Sequence, residues 1–205
     1  MGKRSDGCSS SNRFMPWAKA VEQEILNILK SSPVPEDYPH ALNVREWVRR
    51  LKPGASYALQ LAALAHDLER ALPERKVRRE EFADYDAFKQ AHAENSARIV
   101  GELLNRHGVD GEFARRVCRL IRHHEFGIPG DEEAEVLKDA DSLSFFEVNL
   151  PHYFRREGEG EAFRRMVWGY RRLSPAARKW LHRLQYPQAA LNRLMRRLLH
   201  DSGAR

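Results

Sequence analysis

His66 and Asp67 stand side by side in the stretch Leu59 to Arg70, LQLAALAHDLER, behind a run of small apolar residues. Imidazole nitrogen and carboxylate oxygen are ligands for transition metals. Behind an apolar run they are also costly, because a buried charge without a partner is strongly disfavoured. The pair therefore needs partners, and four residues elsewhere are spaced to supply them. His40 leads Val44, Val48 and Leu51, and His92 leads Ser96, Ile99 and Leu103. Phe113, Val117 and Leu120 lead to His124, and Leu137 precedes Asp141 by one helical turn. Steps of three and four residues keep side chains on one helical face. Each stripe thus turns one imidazole or carboxylate toward the core. Groups of that kind, where they converge, are best satisfied by metal ions.

Helices must carry these residues, and the pattern predicts little else. Pro16 suits the first position of a helix whose stripe runs through Trp17, Val21, Ile25 and Leu29. A second helix is expected from Asp37 to Leu51, ended by Pro53-Gly54, and the His66-Asp67 helix is expected to continue toward Pro73. Further helices are predicted over 86–106, from the Asp110 cap to Glu125, and from the Asp131 cap to Asn149 before Pro151. Three more patterns fill 160–172, 175–185 and 188–200, with Ser174-Pro175 as a cap and first-turn pair. No strand alternation and no repeat appears. The fold class is all-α.

The 205 residues favour one domain. No apolar run approaches a membrane span, residues 1–11 lack a signal-peptide core, and the myristoylation pattern fails at Asp6. Cys8 and Cys118 do not make a disulfide framework, so the expected setting is the cytoplasm, with no membrane partner. Charge is uneven. Residues 1–154 hold 22 Lys and Arg against 25 Asp and Glu, net −3, whereas residues 155–205 hold 13 against 4, net +9. Such a basic end could meet nucleic acid or a phosphorylated substrate, although Arg-rich helix faces are usually just solvated.

In order and on successive helices, His40, His66-Asp67 and Asp141 resemble the H…HD…D signature of the HD superfamily of metal-dependent phosphohydrolases. The flanking segments HALNV at 40–44, LAALAHDLER at 61–70 and LKDADSLSFFE at 137–147 read like that family's motif contexts. The resemblance covers roughly 36–150. It implies an HD-domain-like helical bundle over 16–154, basic C-terminal helices over 155–205 packed on it, and a disordered tail over 1–15. HAENSA at 92–97 and IRHHEFG at 121–127 resemble the extra histidine segments of bimetallic members. The resemblance implies a first metal on His40, His66, Asp67 and Asp141. Asp67 would bridge to a second, held also by His92, His124 and His123. One or two divalent ions are expected (Mn, Fe, Co, Ni or Zn), since mixed His and carboxylate shells suit these better than Mg or Ca. The sequence departs from two subtypes. Gly127-Ile128-Pro129 replaces the Gly-Tyr-Pro of cyclic-dinucleotide phosphodiesterases, and Arg70 stands where some alarmone hydrolases and nucleotidases carry Glu.

The chemistry so implied is hydrolysis of a phosphoester or phosphoanhydride, in a nucleotide, by metal-activated water. Asp67 and His66 would be catalytic, Asp67 as the bridge that orients hydroxide. Arg70, one turn beyond His66, and Lys138, one turn before Asp141, are candidates for binding substrate phosphate, with Arg155 and Arg156 further off. His152 and Tyr153 are placed near the entrance, and Trp168, Tyr170 and Trp180 read as core of the C-terminal helices. Two other classes compete: a non-enzymatic HD-fold nucleotide sensor, and a nucleic-acid-associated protein using the basic C-terminal helices.

Overall fold

The structure, a computed structural model, describes residues 15–203, so the expected tail up to residue 14 and Cys8 lie outside it. Among the described residues every regular element is helical. The α-helices are α1 (Ala18–Lys30), α2 (Asp37–Leu51), α3 (Tyr57–Ala65), α4 (Tyr85–Arg106), α5 (Gly111–Arg122), α6 (Glu132–Ser144), α7 (Leu150–Arg172), α8 (Pro175–Arg178) and α9 (Ala189–Gly203). No helix among these residues is long and apolar enough to cross a membrane.

The apolar stretch before His66 becomes the central helix. From Ala58 to Ala65 every side chain of α3 except Gln60 is buried, and α3 touches α1, α2, α5 and α6. Its alanines let those neighbours close in from several sides, which a ring of larger residues would prevent. Side-chain oxygens start these helices, at Asp110, Asp131 and Ser174 as expected and at Ser56 in addition. Ser56 accepts from the Leu59 N–H, Asp110 from Glu112 and Phe113, Asp131 from Glu133 and Ala134, and Ser174 from Ala177.

Two of the helices that carry the site stop earlier than the sequence pattern suggests, and for one reason. α3 ends at Ala65, before a 3₁₀ turn at Leu68–Ala71. Here His66 Nδ1 lies 2.9 Å from the Ala63 carbonyl, which the Asp67 N–H would take in a continued helix. α5 ends at Arg122, short of Glu125, and His124 Nδ1 lies 2.7 Å from the Ile121 carbonyl in the same relation. An imidazole that binds the carbonyl three residues back both caps the helix and turns its own ring inward.

Pro151 does not end the sixth helix. A π-helical turn, Phe145–Asn149, leads from α6 into α7, and Pro151 sits in the first turn of α7. There its missing N–H costs no hydrogen bond. The break falls instead at Gly158, at φ 80° and ψ 176°, a region that only glycine enters cheaply. α7 therefore runs through position 154, where the C-terminal helices were expected to begin.

α1 is tied to the end of α4 through Glu24, which pairs with Arg106 at 2.7 Å and His107 at 2.6 Å. The hydrogen bond from His107, with Arg106 adding to it, holds the Glu24 carboxyl below its ordinary value of 4.5 against some burial. A depressed carboxylate contributes stability above its unfolded value and loses it as pH falls through the folded one. Glu24→Gln is expected to cost under about 1 kcal/mol at pH 7, because the pair is part-exposed. In urea titrations the difference from wild type should shrink as pH falls below 4.5.

Candidate metal centre

Six of the expected residues come together. His40 on α2, His66 and Asp67 after α3, His92 on α4, His124 after α5 and Asp141 on α6 are all buried. Three overlapping groups each bring their ligand atoms within 4.8 Å of one another: His40, His66 and Asp67; His66, His124 and Asp141; and Asp67, His92 and His124. Asp67 belongs to the first and the last of these, so one carboxylate serves both ends of the cluster.

The histidine tautomers follow from the partners of Nδ1. The carbonyls of Ala63 and Ile121 can only accept, so His66 and His124 donate to them through Nδ1–H. His92 Nδ1 donates to Glu69 Oε1 at 2.6 Å. His40 Nδ1 lies 2.8 Å from Ser144 Oγ, and that hydroxyl itself donates to the His40 carbonyl at 3.3 Å. Each ring, when neutral, therefore presents a bare Nε2 inward. The Nε2 atoms of His40 and His66 are 3.3 Å apart. Those of His40 and His66 lie 3.2 and 3.5 Å from Asp141 Oδ1. His92 and His124 Nε2 lie 2.8 and 3.7 Å from Asp67 Oδ1. His124 Nε2 is buried with no hydrogen-bond partner among the described residues.

Lone pairs facing lone pairs and carboxylates repel unless positive charge stands between them. Nitrogen and oxygen donors fixed from behind by carbonyl, carboxylate and hydroxyl partners are how proteins prepare imidazole for a divalent transition ion. The donor set fits such an ion. Without one, protons carry the charge. Burial disfavours imidazolium at His66, but Asp67 and Asp141 overcome it and push the ring up to about 9. Burial likewise opposes charge on Asp67 and Asp141, yet both lie well below the carboxylate range, Asp67 because of His66 and His92, Asp141 because of Arg172. His124 goes the other way, lowered by burial.

Two expected site residues lie elsewhere. His123 caps α5 and is only partly buried. Adjacent positions on a helix diverge by about 100°, so turning His124 in turns His123 out, toward Arg119 and Arg122. Lys138 is held by Glu135 one turn earlier on α6 and lines a separate hollow with Phe126 and Trp168. His123→Ala should leave bound metal unchanged, whereas His124→Ala should lose at least half of it, as elemental mass spectrometry would show. Arg70 does reach the site. It pairs with Asp37 at 3.1 Å and lies 3.7 Å from Asp67.

The sequence pattern misses a ring of charged residues behind the cluster. Glu69 anchors His92. Glu125, fully buried, is bracketed by Lys89 and Arg172. Arg172, at the end of α7, donates to Asp141 Oδ2 at 2.9 Å and to the carbonyls of His124 and Glu125. Trp168 is not core. It stands at the mouth of the cluster with Arg165 and Arg172 beside its ring, at 4.2 and 4.6 Å. The one available signal was the spacing Arg165, Trp168, Arg172, three and four residues apart on one face.

Fold and cluster together define an all-helical protein with buried His and Asp groups able to hold metal. The chain belongs to a family described as a domain of unknown function, DUF4202, whose model matches residues 18–194. No curated protein and no solved structure matches it.

Proposed function

We propose that the protein is a metal-dependent hydrolase of a phosphoester or phosphoanhydride, with a nucleotide as substrate. The observation that supports this most is the convergence of four imidazole Nε2 atoms on two carboxylates, one of them shared between two groups. The order of those residues along the chain, which resembles the HD superfamily, points the same way.

A divalent transition ion, when bound, supplies Lewis-acid charge and lowers the pKa of water to near neutrality. The chain's own residues do the rest. His40, His66, His92 and His124 are aimed by their Nδ1 partners. Asp67 reaches both groups and orients what lies between them, and Arg70 beside it offers a guanidinium to phosphate. A cavity of about 330 Å³ adjoins His92 and Arg70. Its walls include Tyr85, Phe88, Phe145 and Tyr153, rings on which a base could stack.

The test is elemental analysis of the purified chain together with phosphate release from p-nitrophenyl phosphate and a panel of nucleotides. One or two transition ions per chain and metal-dependent release are expected. Bound metal with no hydrolysis of any of them would favour a sensor instead.

A further inference from the structure

Five basic side chains line the cavity beside the cluster: Arg70, Lys76, Lys89, Arg156 and Arg165. Three have carboxylate partners, Arg70 in Asp37, Lys89 in Glu125 and Arg156 in Glu36. Lys76 is exposed at the rim. Arg165 is different. It borders both the cavity and the mouth of the metal cluster, and it forms no ion pair or hydrogen bond among the described residues. Its guanidinium lies over Trp168 at 4.2 Å, Phe145 at 5.1 Å and Tyr85 at 5.2 Å. Its Nη1 is buried without a partner.

Three rings fix the position of a guanidinium but use none of its N–H donors. A buried donor left without an acceptor is disfavoured, so such a group is expected to meet its acceptor in a ligand. The acceptor must also answer a full positive charge that no carboxylate neutralises. Arg with fixed orientation presents a fork that matches two oxygens of a phosphate. The close approach that brings it here is built into α7. At Gly169, one turn on, a Cβ would stand 3.3 Å from the Phe146 ring, so a larger residue would push α7 away from the π-helical turn that carries Phe145.

We propose that Arg165 is a phosphate-binding residue of this cavity, holding oxygens of a phosphorylated substrate whose reacting bond lies at the metal cluster. The proposal rests on the hydrolase reading for the second half of that statement only. It makes the basic C-terminal segment a wall of the substrate site.

The test is calorimetric titration of the full-length protein with inorganic phosphate, with metal content measured on the same samples. Arg165→Met keeps the apolar stem and removes the fork. It should weaken phosphate binding at least tenfold with metal content unchanged, while Arg164→Met, one residue away and exposed, should match wild type. Arg165→Lys keeps the charge without the fork and should fall between. Arg165→Met binding phosphate within twofold of wild type overturns the proposal, as does wild type that binds no phosphate. If Arg165→Met does not fold, Arg165→Lys decides on the same twofold criterion. Arg165-dependent phosphate binding in a protein with neither metal nor turnover would sink the hydrolase reading and leave Arg165 standing. Metal-dependent turnover with phosphate affinity indifferent to Arg165 would do the reverse.

Discussion

Asp67→Ala is expected to empty both ends of the cluster with one substitution. Its Oδ1 lies 2.8 Å from His92 Nε2 and 3.7 Å from both His66 and His124, and it belongs to two of the three ligand groups. Removing it takes an anionic donor from those two groups and leaves four imidazoles with a single remaining carboxylate, Asp141. Loss of an outer partner of a ligand commonly costs 10- to 100-fold in metal affinity, so loss of a shared ligand should cost at least about 100-fold. Elemental mass spectrometry of wild type and variant, purified in parallel, reads the loss directly, and phosphate release should fall by at least the same factor. Asp139→Ala is the matching control. Asp139 is buried on α6, two residues from Asp141, but accepts from the backbone and hydroxyl of Ser174. It should lower stability and leave metal in place. Equal metal loss in both variants would mean that the cluster merely reports the integrity of the surrounding helices.

The second large effect is on stability. Arg172→Met should destabilise the protein by roughly 3–5 kcal/mol, the range for removing one partner of a buried ion pair. Arg172 is 9% exposed and answers two buried carboxylates, Asp141 at 2.9 Å and Glu125 at 3.1 Å. The variant leaves Glu125 with Lys89 and His124, and Asp141 with histidines alone. Adding Glu125→Gln should recover part of the loss, since it removes the charge that Arg172 no longer balances. Urea unfolding of wild type, both single variants and the double variant measures the coupling. Strict additivity would show that Arg172 acts only by packing on Trp168.

Much of this arrangement is legible in the chain. Apolar steps of three and four residues place His40, His92, His124 and Asp141 on core-facing sides, and short-range periodicity is what a helix preserves. Two kinds of feature escape that reading. The first is local but mediated by side chains. His66 and His124 end their own helices by taking a carbonyl three residues back, and periodicity does not register a competitor for a backbone hydrogen bond. Pro151 misleads for a related reason, because the same residue stops a helix in its interior and suits its first turn. The second kind is long-range. Arg172 meets Asp141 across 31 residues, and Arg156 meets Glu36 across 120. Each of those arginines looks like part of a solvated basic face until the chain is folded. Charge counting assigned the basic excess to a separate C-terminal region, while the fold spends part of it on the buried carboxylates of the centre.

The break in α7 has a further consequence. Tyr153 and Arg156 precede Gly158, Arg165 follows it, and all three line the same cavity. The width of that chamber is therefore set by the angle between two half-helices, and the angle is set by one pair of backbone dihedrals. A Cβ at Gly158 would touch nothing within 4 Å, so no steric wall guards the position and only its left-handed geometry does. Substitution at Gly158, which does not line the cavity itself, would thus act as a calliper on the chamber rather than a change in its chemistry.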